Sequence, residues 1–103
     1  MTHDMNLLKQ AQEMSRLVRE VQRELAERVL EGSSGGGAVR CTVTGQLEVR
    51  SIRIDPKVVD PEEVAMLEDL VTAAVRNAVK AALDLRKAKT DEVTGGILPD
   101  LGL

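Results

Sequence analysis

The first thirty-one residues contain no proline and no glycine, and apolar side chains recur in them by fours and threes: Leu7, Ala11, Met14, Val18, Val21 and Leu25. That is the a/d spacing of a helix that buries one narrow seam. Glu and Gln, both good helix formers, fill many of the other positions. The spacing predicts a single helix over residues 5–31, ended by Gly32. A helix of this length cannot cover its own seam. Another element, or a second copy of the chain, must do it.

The need for cover is sharpened by what the chain lacks. None of its 103 residues is Phe, Tyr or Trp. Aromatic side chains are normally the largest units of buried area, so this core must be assembled from Leu, Val, Ile, Met and Ala. A chain this short buries on the order of two-thirds of its unfolded surface. One domain over residues 1–103 that gains its remaining burial by dimerising is the consistent reading.

After the helix comes Gly32-Ser-Ser-Gly-Gly-Gly37, by composition a loop. Val39, Cys41 and Val43 then alternate with Arg40, Thr42 and Thr44, the pattern of a half-buried strand over residues 38–44. Gly45-Gln46 reads as a tight turn. Residues 47–55 read as a second strand, with Ile52 and Ile54 on one face and Ser51 and Arg53 on the other. The short gap implies antiparallel pairing. Asp60-Pro61-Glu62-Glu63 has the form of a helix start, with Asp60 as N-cap, Pro61 at N1 and Glu63 completing a capping box. The helix is expected from Pro61 to about Glu92, burying Val64, Leu67, Val71, Ala74, Val75, Ala78, Ala82 and Leu85. Residues 1–5 and the tail from Thr94 to Leu103 are expected to be loosely ordered. No stretch is apolar for the roughly 20 residues a membrane span requires, and Met1 to Asn6 lacks the form of a signal peptide.

Catalytic and metal chemistry find little support. His3 is the only His and Cys41 the only Cys, so no zinc ligand set exists at the required spacing. Cys41 sits among valines on the apolar strand face, where a thiol acts as a small hydrophobe. A single Cys also fits a reducing, cytosolic setting. The acid pairs Glu62-Glu63 and Glu68-Asp69 lie in early helix turns, where negative charge opposes the helix dipole. The glycine run is not followed by the Lys-Ser/Thr of a phosphate loop. No catalytic residue, metal, cofactor or small-molecule substrate is expected.

Charge is more informative. The net charge is -3, which argues against a broadly basic nucleic-acid binder but leaves room for local patches. At about 100° per residue, Lys9, Arg16, Arg19 and Arg23 fall opposite the apolar seam of the first helix. This is either a solvated face laced by i,i+4 pairs (Lys9–Glu13, Arg16–Glu20, Arg23–Glu27) or a stripe that touches phosphates. Arg76, Lys80 and Lys87 form a second set on the last helix, and Arg40, Arg50 and Arg53 a third on the strands, where alternation turns Arg40 and Arg53 outward. Single-strand binders stack bases on aromatic side chains. With none available, any nucleic-acid target is expected to be duplex, held by its backbone.

These segments together resemble the YbaB/EbfC family of bacterial nucleoid-associated DNA-binding proteins. The residues that carry the likeness are Leu7-Leu-Lys-Gln-Ala-Gln-Glu-Met14, Gly35-Gly-Gly-Ala-Val-Arg40, Ser51-Ile-Arg-Ile-Asp-Pro56, Met66-Leu-Glu-Asp-Leu-Val-Thr-Ala-Ala-Val-Arg-Asn-Ala78 and Thr94-Gly-Gly-Ile-Leu-Pro99. The resemblance implies an α+β fold, ordered α-β-β-β-α, with a small antiparallel sheet between two long helices and an extra strand around Val29–Ser33. It implies a homodimer shaped like tweezers, with helices projecting from a joined sheet. It further implies a cytoplasmic, nucleoid-associated protein that binds double-stranded DNA, with no enzymatic activity and no cofactor, and with a role in nucleoid organisation or gene regulation. The helices are the implied DNA surface, which carries over as Lys9, Arg16, Arg19, Arg23, Arg76 and Lys80. The seam Leu7, Ala11, Met14, Val18, Val21 and Leu25 carries over as core or dimer contact. The acidic net charge departs from a simple DNA-binding picture. It keeps a rival open, a protein-interaction module with weak or no DNA binding.

Overall fold

A computed structural model describes residues 2–95. Helix α1 spans Thr2–Glu27, strand β1 Val29–Ser34, strand β2 Val39–Thr44, strand β3 Val49–Ile54 and helix α2 Val64–Thr94. Short 3-10 turns at Gly35–Gly37 and Pro56–Val58 join β1 to β2 and follow β3. The order is α-β-β-β-α. The tail expected to be loose lies, beyond Gly95, outside the described residues, as does Met1. The molecule is long and thin, 74 × 21 × 17 Å.

Helix α1 ends earlier than its periodicity predicts. Arg28 still donates to the Glu24 and Leu25 carbonyls, but its own carbonyl accepts from Gly45. Val29 and Leu30 then pair with Thr44 and Val43. Pairing with β2 therefore overrides local helix propensity, and four residues read as helix become strand and its approach. The glycine-serine segment is likewise not a plain loop. Gly32, Ser33 and Ser34 are strand, and only Gly35–Gly37 turn, with φ of 60°, 68° and 94°. Residues with a Cβ rarely adopt such values.

The start of α2 also differs from the expected capping box. The Asp60 carboxylate accepts from the Glu62 amide at 2.9 Å, and the Asp60 carbonyl from Glu63 at 2.9 Å. That is an Asx turn closed two residues on. It uses up the Asp60 side chain, so the helix begins at Val64, after Glu63, which makes no side-chain cap.

The sheet order is β1-β2-β3, antiparallel throughout. On its inner face Val39, Cys41 and Val43 are fully buried against Ala74, Ala78 and Ala82 of α2. Alanines permit this because Gly32 lies against the α2 backbone. A Cβ on Gly32 would sit 2.5 Å from the Ala74 carbonyl oxygen and 2.7 Å from Ala78 Cα. The Ser34 hydroxyl donates to the Leu70 carbonyl at 2.6 Å and the Asn77 amide to the Ser33 carbonyl at 2.9 Å, fixing the register of helix on strand.

Helix α1 packs on α2 only through its second half. Val21 and Leu25 are buried with Val18, Leu85 and Val93 around them. Lys89 reaches across to Glu24 at 3.2 Å, and that carboxylate raises the Lys89 ammonium above its ordinary range.

Gly32→Ala is expected to cost about 3 kcal/mol or more, because the obstructing atoms are backbone and cannot rotate away. Gly36→Ala, whose Cβ would meet nothing within 4 Å, carries only the penalty of its positive φ, about 1 kcal/mol. Urea melts of the two variants test this ordering.

Candidate nucleic-acid interface

Every cation predicted for DNA contact is exposed and helical: Lys9, Arg16, Arg19 and Arg23 on α1, Arg76 and Lys80 on α2. They do not form one cluster. Arg76 adjoins Asn77, which bonds to β1. Lys9 lies about 24 Å back along α1 from Leu25 at 1.5 Å per residue. The α1 cations point away from the Val21–Leu25 contact with α2, as the helical wheel requires.

Their partners divide them. Arg16 is held by a fork to Glu13, with Nη2 to Oε1 at 2.7 Å and Nε to Oε2 at 3.2 Å, and by Glu20 at 3.0 Å. The guanidinium holds the Glu13 carboxyl below its ordinary range. Arg23 stands 3.9 Å from Glu27 and Lys80 3.3 Å from Asp84. Lys9, Arg19 and Arg76 have no ion pair among the described residues. Of the expected i,i+4 pairs, Arg16–Glu20 and Arg23–Glu27 form. The Lys9–Glu13 pair does not, because Glu13 turns to Arg16. Exposed pairs of this kind contribute little to stability, so their main effect is to set which cations meet a ligand without first releasing an acid.

The apolar seam also divides. Val21 is 7% and Leu25 0% exposed. Val18 is half-buried, while Leu7, Ala11 and Met14 are exposed. Leu7 at 64% is uncovered in the single chain.

A second uncovered surface lies on the sheet and was not legible in the sequence. Ile52 and Ile54 stand opposite Cys41 and Val39, on the inner face, yet are 43% and 38% exposed. Helix α2 lies over β1 and β2 and leaves β3 bare. Val64 and Met66, at the start of α2, are also exposed, at 52% and 46%.

The outer face of the sheet is polar. Arg40 stands opposite Arg53, and Thr42 opposite Ser51, with the two hydroxyls 2.6 Å apart. The register slips between Thr42 and Val43, a bulge at Arg50 that keeps both Val49 with Val43 and Ser51 with Thr42.

Among the described residues no cluster of His, Cys, Asp and Glu could hold a metal, and no helix is long and apolar enough to cross a membrane. Grooves between the helices are lined by Leu17, Glu20, Glu24, Lys89 and Glu92, or by Glu24, Glu27, Arg28 and Lys89. Their acids disfavour a phosphate. Cys41 is fully buried and burial pushes its thiol up, away from a nucleophile's range.

Residues 1–97 match the YbaB/EbfC DNA-binding family. A nucleoid-associated protein of Acetivibrio thermocellus is 47% identical over 92 residues, which are 89% of this chain and 81% of that protein. One of Saccharopolyspora erythraea is 45% identical over 97 residues, 94% of this chain and 84% of that protein. The crystal structure of an uncharacterised Helicobacter pylori protein superposes with a TM-score of 0.78 at 20% identity, covering 86% of this chain and 94% of that one. That likeness gives the fold. The names of the family and its relatives describe DNA-binding, nucleoid-associated proteins and not an enzyme.

The Glu13–Arg16 fork makes a measurable prediction. The Glu13 carboxyl titrates below the usual carboxylate range, and Arg16→Gln moves its midpoint up toward that range. The contribution of the pair is present above the ordinary carboxylate pKa and fades as pH falls through the depressed one. A carboxyl-detected NMR titration of both proteins reads this directly.

Proposed function

The chain belongs to the YbaB/EbfC DNA-binding family, and on that premise we propose that it acts at the nucleoid as a homodimer that binds duplex DNA through phosphate contacts. The observation that carries the reading is the family match over residues 1–97 of a chain with an open, apolar third strand. A bare edge strand with a half-exposed inner face invites pairing and is costly to leave open. A second copy, joined β3 to β3 about a two-fold axis, would pair the open edge, bring Ile52 and Ile54 of both copies together on one face and make one six-stranded sheet. Such an isologous interface is the commonest form of oligomer. The exposed first half of the seam, Leu7, Ala11 and Met14, is assigned to contacts between chains in the same assembly.

DNA contact is assigned to Lys9, Arg16, Arg19, Arg23, Arg76 and Lys80. Two-fold symmetry doubles each set, so an acidic chain still offers repeated local cations. Readout is of backbone and shape, because no aromatic side chain is available to stack on bases. Arg16, Arg23 and Lys80 must exchange a carboxylate for a phosphate, whereas Lys9, Arg19 and Arg76 need not. A second reading has one observation in its favour. Met5, Leu7 and Leu8, each more than half exposed on α1, would suit a partner protein.

Fluorescence anisotropy on a labelled duplex across a salt series tests the proposal. The wild type is expected to bind with a linear log–log salt dependence. A Lys9→Gln/Arg16→Gln/Arg19→Gln/Arg23→Gln variant that stays dimeric is expected to bind more weakly, with the slope shallower by roughly 0.9 for each phosphate it no longer neutralises. No binding at low salt sinks the DNA reading in favour of a protein partner. For the dimer, Ile52→Asp is expected to shift the sedimenting species to a monomer with its helix content kept. A dimer that survives this change rules out β3 as the interface.

A further inference from the structure

We propose that the outer face of the sheet is itself a phosphate-binding surface, and that duplex DNA lies across the Arg40–Arg53 pair as well as along the helices. The inference rests on the DNA-binding reading above and gives it a second, different site.

The register places Arg40 of β2 directly opposite Arg53 of β3. Side chains opposed in this way start about 5 Å apart, and like charges so placed destabilise a sheet. The fold gains nothing visible from the pair, since both residues are exposed and neither packs in the core. An anion lying between two guanidiniums would convert the repulsion into a binding site, and guanidinium forks match phosphate oxygens in geometry.

The surroundings fit that occupant. Arg40 is braced on one side by Glu31 at 2.8 Å. It also lies against the glycine turn, where a Cβ on Gly37 would come 2.8 Å from its Nη2. Glu31 and the glycine turn thus orient the Arg40 guanidinium, which, like that of Arg16, meets a phosphate by sharing or releasing its carboxylate. Arg53 has no ion pair or hydrogen bond among the described residues, so its guanidinium is available without displacing an acid. One step along the same face, the Thr42 and Ser51 hydroxyls bond each other, and either can redirect its proton to a phosphate oxygen. The strand positions of this face carry two guanidiniums against one carboxylate, in a chain whose net charge is -3. The face is free of aromatic side chains, which suits backbone contact and not base stacking. If β3 joins β3 about an axis normal to the sheet, both outer faces lie on one side. Four arginines then cross a six-stranded surface about 24 Å wide at the usual strand spacing.

The test compares three dimeric proteins in the same salt series: wild type, Arg40→Gln/Arg53→Gln, and Lys57→Gln/Arg86→Gln as a charge-matched control. The sheet variant is expected to lose at least tenfold in affinity at low salt and to reduce the slope by roughly two to four, with the control close to wild type. The sheet variant's melting temperature should stay close to that of the wild type, since relief of the like-charge pair offsets loss of the Arg40–Glu31 pair. In the wild type, the Arg53 Nε–H resonance should shift on adding duplex. A sheet variant that binds like the control, with Arg53 unmoved, overturns the sheet proposal and leaves DNA binding on the helices. A wild type that binds no duplex at low salt overturns both, and the two failures are told apart by the wild-type curve alone.

Discussion

The close approach of β1 to α2 is the contact on which the other features of the fold depend. A sheet and a helix normally meet through large side chains. Here they meet through Gly32 and the alanine stripe of α2, so strand and helix backbones almost touch. In a chain with no aromatic residue this is how a core can be dense without being large. The buried side chains Val39, Cys41, Val43, Ala74, Ala78 and Ala82 are individually small. At about 25 cal/mol per Å² of apolar area, each contributes modestly, and close fit must make up what volume does not supply.

The same economy leaves the molecule incomplete. One helix laid tightly over two strands cannot reach the third, so β3 keeps an apolar inner face and an open edge. Helix α1 joins α2 only from Val18 onward and leaves its first half bare. Both exposures follow from the thinness of the core. They give the chain a physical reason to pair with another copy.

Charge follows a different logic from burial. On the helices, acids and bases alternate at three- and four-residue spacing, and much of the positive charge is already met by a carboxylate on the same helix. Arg16, gripped by Glu13 and Glu20, is the clearest case. On the sheet the acids thin out and two arginines face each other across the ladder. A net charge of -3 conceals this contrast, which makes the local arrangement the relevant quantity for an anionic partner.

Much of the architecture was legible in the residues. The seam of α1, the alternation of β2 and the alanine-rich stripe of α2 are periodic, and periodicity survives folding because it is set by backbone geometry. The α-β-β-β-α order and the strand at Val29 came from the resemblance, since a helical pattern runs unbroken into that strand. Other features depended on tertiary structure. Asp60 closes an Asx turn and not the helix end, a competition between two nearby amides that spacing cannot rank. Ile52 and Ile54 alternate like core residues but have no helix above them, and coverage is a property of where α2 lies. Arg40 and Arg53 both read as outward, yet only the register, with its bulge, sets them face to face. The sequence by itself determined which residues repeat along each element. The tertiary structure decided which of them meet, because contacts between elements depend on register and packing that no local period encodes.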